Sequence, residues 1–282
     1  MSTAKTAPQL STLYIYPIKS LAGIPVAEAV PRGIGLQHDR RWMLTTPDGR
    51  FLSQRTIPPM ALLQPALQDN SLVVWDRREP QNRIHIDWEP PQHSSDILVT
   101  IWDDEVVARA YPPKVNEWFT RILKMPVQLV WMPPTTQRPV DPGYAKPQDT
   151  VSFADGFPYL IANQASLDAL NTRLKVPVTM ERFRPNLVVS GDLPPWHEDT
   201  WQGLHIGDWT FRSPKPCGRC EVITIDPATA RRDAEPLRVL SGFRQKGKNI
   251  LFGINACLDT DHAVQPARPL RIGDPITFLL GN

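Results

Sequence analysis

The first third of the chain alternates short apolar, β-rich runs with turn-forming residues at close intervals. This pattern predicts antiparallel strands of a barrel or a sandwich. A hairpin is expected at Pro47, Asp48 and Gly49, because proline presets the turn and glycine accepts a positive φ. The predicted strands are LYIYPIK, RWMLTT, SLVVW, RIHIDW, ILVTIW and EVVARA.

Helical spacing of apolar residues appears in two later segments. The first contains Val115, Trp118, Phe119, Ile122 and Leu123 and precedes a strand, VQLVWM; the second contains Leu167, Leu170 and Leu174. Residues 132–148 are rich in proline and predict a linker or a long crossing loop. Further strands are predicted at NLVVS, WTFRS, EVITI, ILFGIN and PITFLL, and the class is therefore α+β, mainly β.

Composition narrows the function classes. The chain has 282 residues, 31 of them proline, which is about twice the usual share and indicates many loops. With 31 basic and 29 acidic residues the net charge is +2, which argues against a general nucleic-acid or membrane-surface binder. The start lacks an apolar signal core, and no stretch approaches the ~20 apolar residues of a membrane span. We expect a soluble cytoplasmic protein.

Three cysteines, Cys217, Cys220 and Cys257, are too few for a secreted disulfide framework and indicate reduced thiols. The segment KPCGRC places two of these thiols three residues apart, beside the cations Lys215 and Arg219. A structural zinc site needs four ligands, whereas this segment supplies two. A redox dithiol normally opens a helix, whereas EVITI predicts a strand after Cys220.

Two further interpretations of the cysteine pair fit the residues. One is a pair of small, buried thiols in a tight turn. The other is a soft thiolate ligand to a single metal, in which Lys215 and Arg219 favour the deprotonated sulfur. Spacing alone does not decide between these alternatives.

The segment KPCGRCEVITIDP, with the later EPL, FGIN and RIGDPI, resembles the molybdenum cofactor sulfurase C-terminal (MOSC) domain. Further motifs of the amidoxime-reducing and YcbX-like members occur in the same order over nearly the whole chain: YPIKS (16–20), HDRRW (38–42), FADGFP (153–158) and RFRPN (182–186). The resemblance implies an N-terminal β-barrel region at 8–132 packed on a β-barrel-like MOSC domain at 133–282, with a few helices.

The same resemblance implies a molybdenum pterin cofactor. In these members the second cysteine of CxRC binds molybdenum, which makes Cys220 the expected metal ligand and catalytic group. The expected cofactor-binding residues are Lys19, Ser20, Arg40, Asp155, Gly156, Arg182, Arg184, Pro185 and Asn186. Lys19, Ser20 and Arg40 suit a phosphate, and Arg184 and Asn186 suit the polar pterin edge.

Plainer roles exist for several of these side chains. Lys19 and Ser20 also suit an ordinary strand end, and Arg40 suits a surface ion pair with Asp39. Arg184 and Asn186 could cap a helix or satisfy a loop, and Asp155 could simply close a turn. Two positions depart from the family pattern: FGIN stands where bacterial members commonly have FGQN, and Glu221 stands where an apolar residue is expected.

By resemblance, the protein reduces small N-hydroxylated molecules, such as hydroxylaminopurines and amidoximes, in a detoxifying role. Some relatives carry an added ferredoxin domain with four cysteine ligands, whereas only Cys257 follows Cys220 here. We therefore expect electrons to come from a separate protein, a flavin reductase or a ferredoxin-type carrier. Pyridoxal phosphate binding is associated with the family as a whole. The alternative function is a non-catalytic carrier of molybdenum cofactor or sulfur, with Cys217 or Cys220 as the acceptor.

Overall fold

Strands account for 41% of the computed structural model and helices for 17%, which confirms the predicted α+β, mainly β class. The structure describes residues 6–260 and 268–280. The strands are β1 (Gln9–Ile15), β2 (Ile24–Val26), β3 (Glu28–Ala29), β4 (Pro31–Arg32), β5 (Gly35–Leu36), β6 (Trp42–Thr45), β7 (Leu63–Gln68), β8 (Ser71–Asp76), β9 (Glu79–Asp87), β10 (Asp96–Ile101), β11 (Asp104–Ala110), β12 (Gln128–Trp131), β13 (Tyr159–Asn163), β14 (Leu187–Ser190), β15 (Trp201–Ile206), β16 (Trp209–Arg219), β17 (Gln245–Lys246), β18 (Asn249–Leu258), β19 (Leu270–Arg271) and β20 (Ile276–Leu280).

Three α-helices and four short 3-10 helices connect these strands within the described residues. The α-helices are α1 (Pro113–Leu123), α2 (Gln164–Asn171) and α3 (Glu235–Arg244). The 3-10 helices are Pro58–Leu62, Met180–Phe183, His197–Thr200 and Glu221–Thr224. None of these described helices is long and apolar enough to cross a membrane.

Nine of the described strands form one large sheet that joins the two ends of the chain. The order is β2-β1-β14-β13-β18-β16-β15-β20, and β17 pairs with β18 outside this path. β1 pairs antiparallel with β14, whereas β13 and β14 are parallel. The first two strands therefore belong to a sheet built mostly by the second half, and the division into 8–132 and 133–282 stays a prediction.

The middle of the N-terminal half forms two smaller sheets around a second apolar core. Their orders are β10-β11-β12-β6 and β7-β8-β9. α1 buries Trp118 and Phe119 against this core, as the apolar spacing predicted. The helix begins at Pro113, whose fixed φ suits a first helical position, and ends before Lys124 in the left-handed conformation.

Two predicted elements differ from the structure. EVITI is not a strand, because Glu221–Thr224 forms a 3-10 helix that buries Val222 and Ile223. The second predicted helix is shorter than expected: α2 ends at Asn171 and excludes Leu174, while the Asn163 side chain caps its start by accepting from the Ala165 N–H at 3.1 Å. α3 was not predicted.

The hairpin between β6 and Phe51 gives a stability test. Gly49 has φ +84°, and a Cβ there would lie 2.5 Å from the Leu98 carbonyl oxygen. Gly49→Ala should therefore lower the free energy of unfolding by about 1–3 kcal/mol in urea denaturation. In the matched control Gly242→Ala, the new Cβ meets no atom within 4 Å, and helix propensity favours alanine inside α3. Equal losses in both variants would contradict the strained hairpin.

Candidate functional site

A cavity of about 360 Å³ opens where the end of β16 meets loops from both halves of the chain. Its wall includes every predicted site residue except Arg182 and Pro185. The charged and polar residues on the wall are Lys19, Ser20, Arg40, Ser53, Gln54, Arg55, Asp155, Arg184, Asn186, Lys215, Cys217, Arg219, Cys220, Asn249 and Asn255. Motifs that are far apart in sequence therefore share one site.

Arg182 and Pro185 lie behind the cavity wall. The Arg182 guanidinium is buried and donates to Asp226 Oδ2 at 2.7 Å, and Pro185 is also buried. Arg182 therefore ties the 3-10 helix Met180–Phe183 to the loop after Ile225. Neither residue lines the cavity, and the predicted contact of each with the cofactor stays a prediction.

Three cavity residues hold a backbone conformation that is uncommon for side chains other than glycine. Ser20, Arg40 and Arg184 have φ values of 67°, 46° and 58°. Such left-handed residues cost of order 1–3 kcal/mol each and cluster at ligand sites. The surrounding backbone holds them, since the Arg40 N–H donates to the Tyr16 carbonyl at 2.9 Å and the Arg184 N–H to the Glu181 carbonyl at 3.0 Å.

Arg40 is fixed by a buried network. Its Nη1 donates to Asp39 Oδ2 at 2.7 Å and to Asn186 Oδ1 at 3.0 Å. Asp39 is 1% exposed and also accepts the Tyr16 backbone N–H at 2.7 Å, so the pair is not the surface ion pair considered above. Asn186 Oδ1 further accepts from the Leu160 N–H, and its Nδ2 donates to the Tyr14 carbonyl. Asn186 thus mainly positions Arg40.

Tyr16 supports both cavity guanidiniums. The Cζ atoms of Arg40 and Arg184 lie 4.3 Å and 4.2 Å from its ring centroid. Arg184 also donates from Nη1 to the Leu21 carbonyl at 2.8 Å. Burial lowers the pKa of Arg184 to about 10, so the side chain remains charged at neutral pH. The two cations are therefore held in place without Arg184 having an acidic partner.

Lys19 is the third cation of the cavity wall with bonds inside the protein. The side chain is almost buried, and its Nζ donates to the Phe153 carbonyl at 2.7 Å and to Asp155 Oδ1 at 2.5 Å. Because an ammonium group has three N–H donors, one remains for a ligand. Desolvation by neighbouring groups would raise the pKa of the exposed Asp155 carboxyl, but the charge and hydrogen bond of Lys19 lower it below its ordinary value. Asp155 is therefore ionised at neutral pH.

The cysteine pair occupies the rim of the cavity. Cys220 is exposed and directly follows Arg219, the last residue of β16. Arg219 donates from Nη1 to Cys217 Sγ at 3.1 Å and from Nη2 to the Phe183 carbonyl at 2.7 Å. Cys220 leads into a 3-10 helix of four residues, so it does not open the α-helix of a redox dithiol.

Cys257 lies apart from this pair, in an apolar cluster. It is 1% exposed and packs with Val140 and Val151. Burial raises the pKa of its thiol to about 12. Over residues 6–260 and 268–280, no three His, Cys, Asp or Glu side chains gather as metal ligands, so the zinc interpretation gains no support.

The three thiols should react in order of exposure. Iodoacetamide at neutral pH is expected to label Cys220 first and Cys217 second, and to leave Cys257 unlabelled, because a buried thiol with a raised pKa supplies almost no thiolate. Peptide mass spectrometry after short exposure measures the order. Labelling of Cys257 as fast as Cys220 in the folded protein would contradict this placement.

Positive charge dominates the cavity. Its wall carries six cationic residues and the carboxylate of Asp155. Lys19 and Arg40 pair with carboxylates, whereas Arg55, Arg184, Lys215 and Arg219 form no ion pair among the described residues. Within a concave site this excess attracts an anionic ligand.

Both halves of the chain match known protein families. Residues 7–126 match the MOSC N-terminal beta barrel domain, and residues 148–277 match the MOSC domain. The human mitochondrial amidoxime-reducing component 1 is 30% identical over 285 residues, which cover 97% of this chain and 83% of that protein. The chain belongs to the MOSC-domain family.

Two further relatives of this MOSC-domain protein have related names. Human mitochondrial amidoxime reducing component 2 is 30% identical over 95% of this chain and 82% of its own length. The molybdenum cofactor sulfurase of Oryza sativa subsp. japonica is 30% identical over 87% of this chain, which spans 32% of that longer protein. These relatives tie the family to molybdenum cofactor chemistry.

Sequence reasoning missed several residues of the MOSC site. Arg55 lines the cavity, and Tyr16 supports its guanidiniums. Arg138 lies within the predicted linker, yet it is buried and donates to the Ser152 and Asp155 carbonyls at 3.0 Å and 2.9 Å. Of these three residues, only Tyr16 belongs to a motif quoted above, so only Tyr16 could have been predicted from the sequence.

Proposed function

We propose that this MOSC-domain protein binds a molybdenum pterin cofactor in the cavity, with the Cys220 thiolate as metal ligand, and reduces small N-hydroxylated molecules. The observation that carries the proposal is an exposed thiol on the rim of a strongly cationic cavity. A soft thiolate suits molybdenum, and the cations suit an anionic cofactor.

The cavity residues match the chemistry of a pyranopterin. Such a cofactor brings its own two sulfur ligands and a phosphate, so the protein needs to supply only one thiolate and a set of cations. Three of the five N–H donors of Arg40 bond to Asp39, Asn186 and the Arg184 carbonyl, which leaves two for the phosphate. Ser20 adds a hydroxyl and Lys19 one free N–H. Arg184, stacked on Tyr16, would bind the polar pterin edge.

When bound, the cofactor would supply the two-electron chemistry that removes oxygen from an N–OH group. In the overall reaction the N–O bond breaks, two electrons and two protons are consumed, and an amine or amidine and water leave. Asp155 is ionised and engaged by Lys19, so we assign it to positioning Lys19 rather than to delivering a proton. The protons would come from solvent at the open rim.

The electrons would come from a separate redox protein, of the flavin reductase or ferredoxin type. Residues 6–260 and 268–280 contain no group of three or more His, Cys, Asp or Glu side chains that could hold a metal centre as an internal electron carrier. A cytoplasmic location and a detoxifying role also remain part of this proposal, and the two human relatives are named mitochondrial.

A reduction assay tests the proposal. Protein purified with its cofactor and given an artificial electron donor should reduce 6-hydroxylaminopurine and benzamidoxime in repeated turnovers. Loaded protein that reduces neither compound would overturn the proposed activity. Ready release of cofactor or sulfur to an apo-enzyme, without turnover, would instead support the carrier alternative.

A further inference from the structure

Trp102 occupies a turn position that its backbone conformation makes unfavourable. The last paired residues of β10 and β11 are Ile101 and Asp104, so Trp102 and Asp103 form a two-residue turn. Trp102 has φ +58°, whereas Asp103 does not have a positive φ. A positive φ at the first central position alone is typical of a type II′ turn, which favours glycine there. A tryptophan at this position therefore strains the backbone.

Burial in the apolar core does not explain why a tryptophan stands at this turn. Trp102 is 42% exposed, whereas Val99 and Ile101, which precede it on β10, are fully buried. The gain from removing apolar surface from water is therefore incomplete at Trp102. A strained residue persists where its surroundings hold it, and such residues cluster at functional sites. The contacts of the indole are thus the place to look for its role.

The indole contacts two residues of the cavity wall. Its Nε1 donates to Asp155 Oδ1 at 3.3 Å, the same oxygen that accepts from Lys19 Nζ. The guanidinium of Arg55 lies on the ring, with Cζ 4.1 Å from the centroid. Phe51 packs against the indole at a centroid distance of 4.9 Å and so holds it in this place. Trp102 can therefore act on the cavity through Arg55 and Asp155.

Arg55 is held at the cavity without being neutralised. Its Nε donates to Ser53 Oγ at 3.2 Å, and the Trp102 ring supports its guanidinium. Among the described residues, its two terminal nitrogens have no hydrogen-bond partner, so they are available to an anion. A cation over an aromatic face keeps its charge. Without the indole, the long Arg55 side chain would regain rotamer freedom, which an anion would have to remove on binding.

We propose that Trp102 is a positioning residue of the cavity, which holds Arg55 and Asp155 in place around the anionic end of the bound cofactor. The inference rests on the proposed function and deepens it. The strain in the turn between β10 and β11 then serves the binding of the cofactor and not the stability of the fold. These two roles make opposite predictions for a variant that removes the strain and the indole together.

Trp102→Gly is that variant. Glycine adopts a positive φ without strain, so the urea midpoint of unfolding should equal or exceed that of the wild-type protein. The same change removes the indole from Arg55 and Asp155. Protein purified with its cofactor should then lose pterin in dialysis at least ~10-fold faster, the lower end of the loss of metal affinity when a residue that supports a ligand is replaced. Fluorescence of the oxidised pterin measures the rate.

Two further variants serve as controls. Lys124 also has a positive φ, 57°, but it is exposed at the end of α1 and does not line the cavity. Lys124→Gly removes a similar strain and should lose pterin at the wild-type rate. Trp102→Phe keeps the strain and a ring under Arg55 but has no N–H for Asp155. Its rate of pterin loss should lie between those of the wild-type protein and Trp102→Gly.

A purely structural role of Trp102 gives a different pattern, because retention of pterin would then follow stability. Trp102→Gly would keep its pterin as long as the wild-type protein does, or would lose stability and pterin together. Either result would overturn the inference. Equally fast pterin loss from Lys124→Gly would also overturn it, since that variant leaves the cavity contacts intact.

Failure of the proposed function is recognised separately. Wild-type protein that carries neither molybdenum nor pterin would overturn the proposed function. Isothermal titration of the same proteins with pyrophosphate would then decide the positioning role. Binding that is at least ~10-fold weaker in Trp102→Gly than in the wild-type protein would support that role. Equal binding by the two proteins, or binding by neither, would overturn it.

Discussion

Cys220→Ser is expected to lower the rate of N-hydroxyl reduction by at least ~100-fold, because even residues that only support metal ligands often cost 10–100-fold when replaced. Serine keeps the size of the side chain but replaces a soft thiolate with a hard hydroxyl that stays protonated at neutral pH. Since Cys220 is exposed, the substitution should leave the fold intact, so the loss would reflect the site itself.

The matched controls for this variant are the other two cysteines. Cys257 lies in the apolar cluster with Val140, so the Cys257→Ser variant should keep its activity, with at most a moderate loss of stability. Cys217→Ser should reduce activity less than Cys220→Ser. Steady-state rates with an artificial donor measure all three variants. An equal loss for Cys220→Ser and Cys257→Ser would contradict the assignment of the metal ligand.

Asp39→Ala is expected to reduce the free energy of unfolding by about 3–5 kcal/mol, the usual cost of leaving one partner of a buried ion pair alone. The substitution strands the Arg40 guanidinium and removes the acceptor of the Tyr16 N–H. Urea unfolding followed by fluorescence measures the change in the free energy of unfolding, provided that its dependence on urea concentration is the same in both proteins.

The control for Asp39→Ala is Asp48→Ala. Asp48 forms an ion pair with Arg50 in which both side chains are largely exposed, and such pairs contribute little to stability. We expect its unfolding midpoint to match that of the wild-type protein. Similar destabilisation by the two substitutions would show that the buried network around Asp39 and Arg40 does not stabilise the protein.

The local sequence was sufficient to predict the elements whose buried residues recur at helical or strand spacing. The apolar stripe around Trp118 and Phe119 predicted α1, and Pro47 to Gly49 predicted the hairpin that brings Phe51 beside Thr45. The order of the family motifs along the chain also predicted that Cys220 and Arg184 belong to one site, and both line the same cavity.

Prediction failed where tertiary packing overrides local propensity. The β-branched run after Cys220 favours a strand, yet Val222 and Ile223 are buried in a 3-10 helix, and Val222 also lines the cavity. The role of Asn186 depended on Arg40, which is 146 residues away in sequence. No spacing rule reaches that far, so the sequence did not predict that Asn186 positions Arg40, and its contact with the cofactor stays a prediction.

The molybdenum content of three purified proteins tests the central claim most directly. The wild-type protein and Cys257→Ser, produced in cells that make the cofactor, should contain near-stoichiometric molybdenum and pterin, whereas Cys220→Ser should lose most of its molybdenum. Elemental mass spectrometry and fluorescence of the oxidised pterin measure the two contents. Full molybdenum retention in Cys220→Ser, or wild-type protein that binds neither molybdenum nor pterin, would contradict the account.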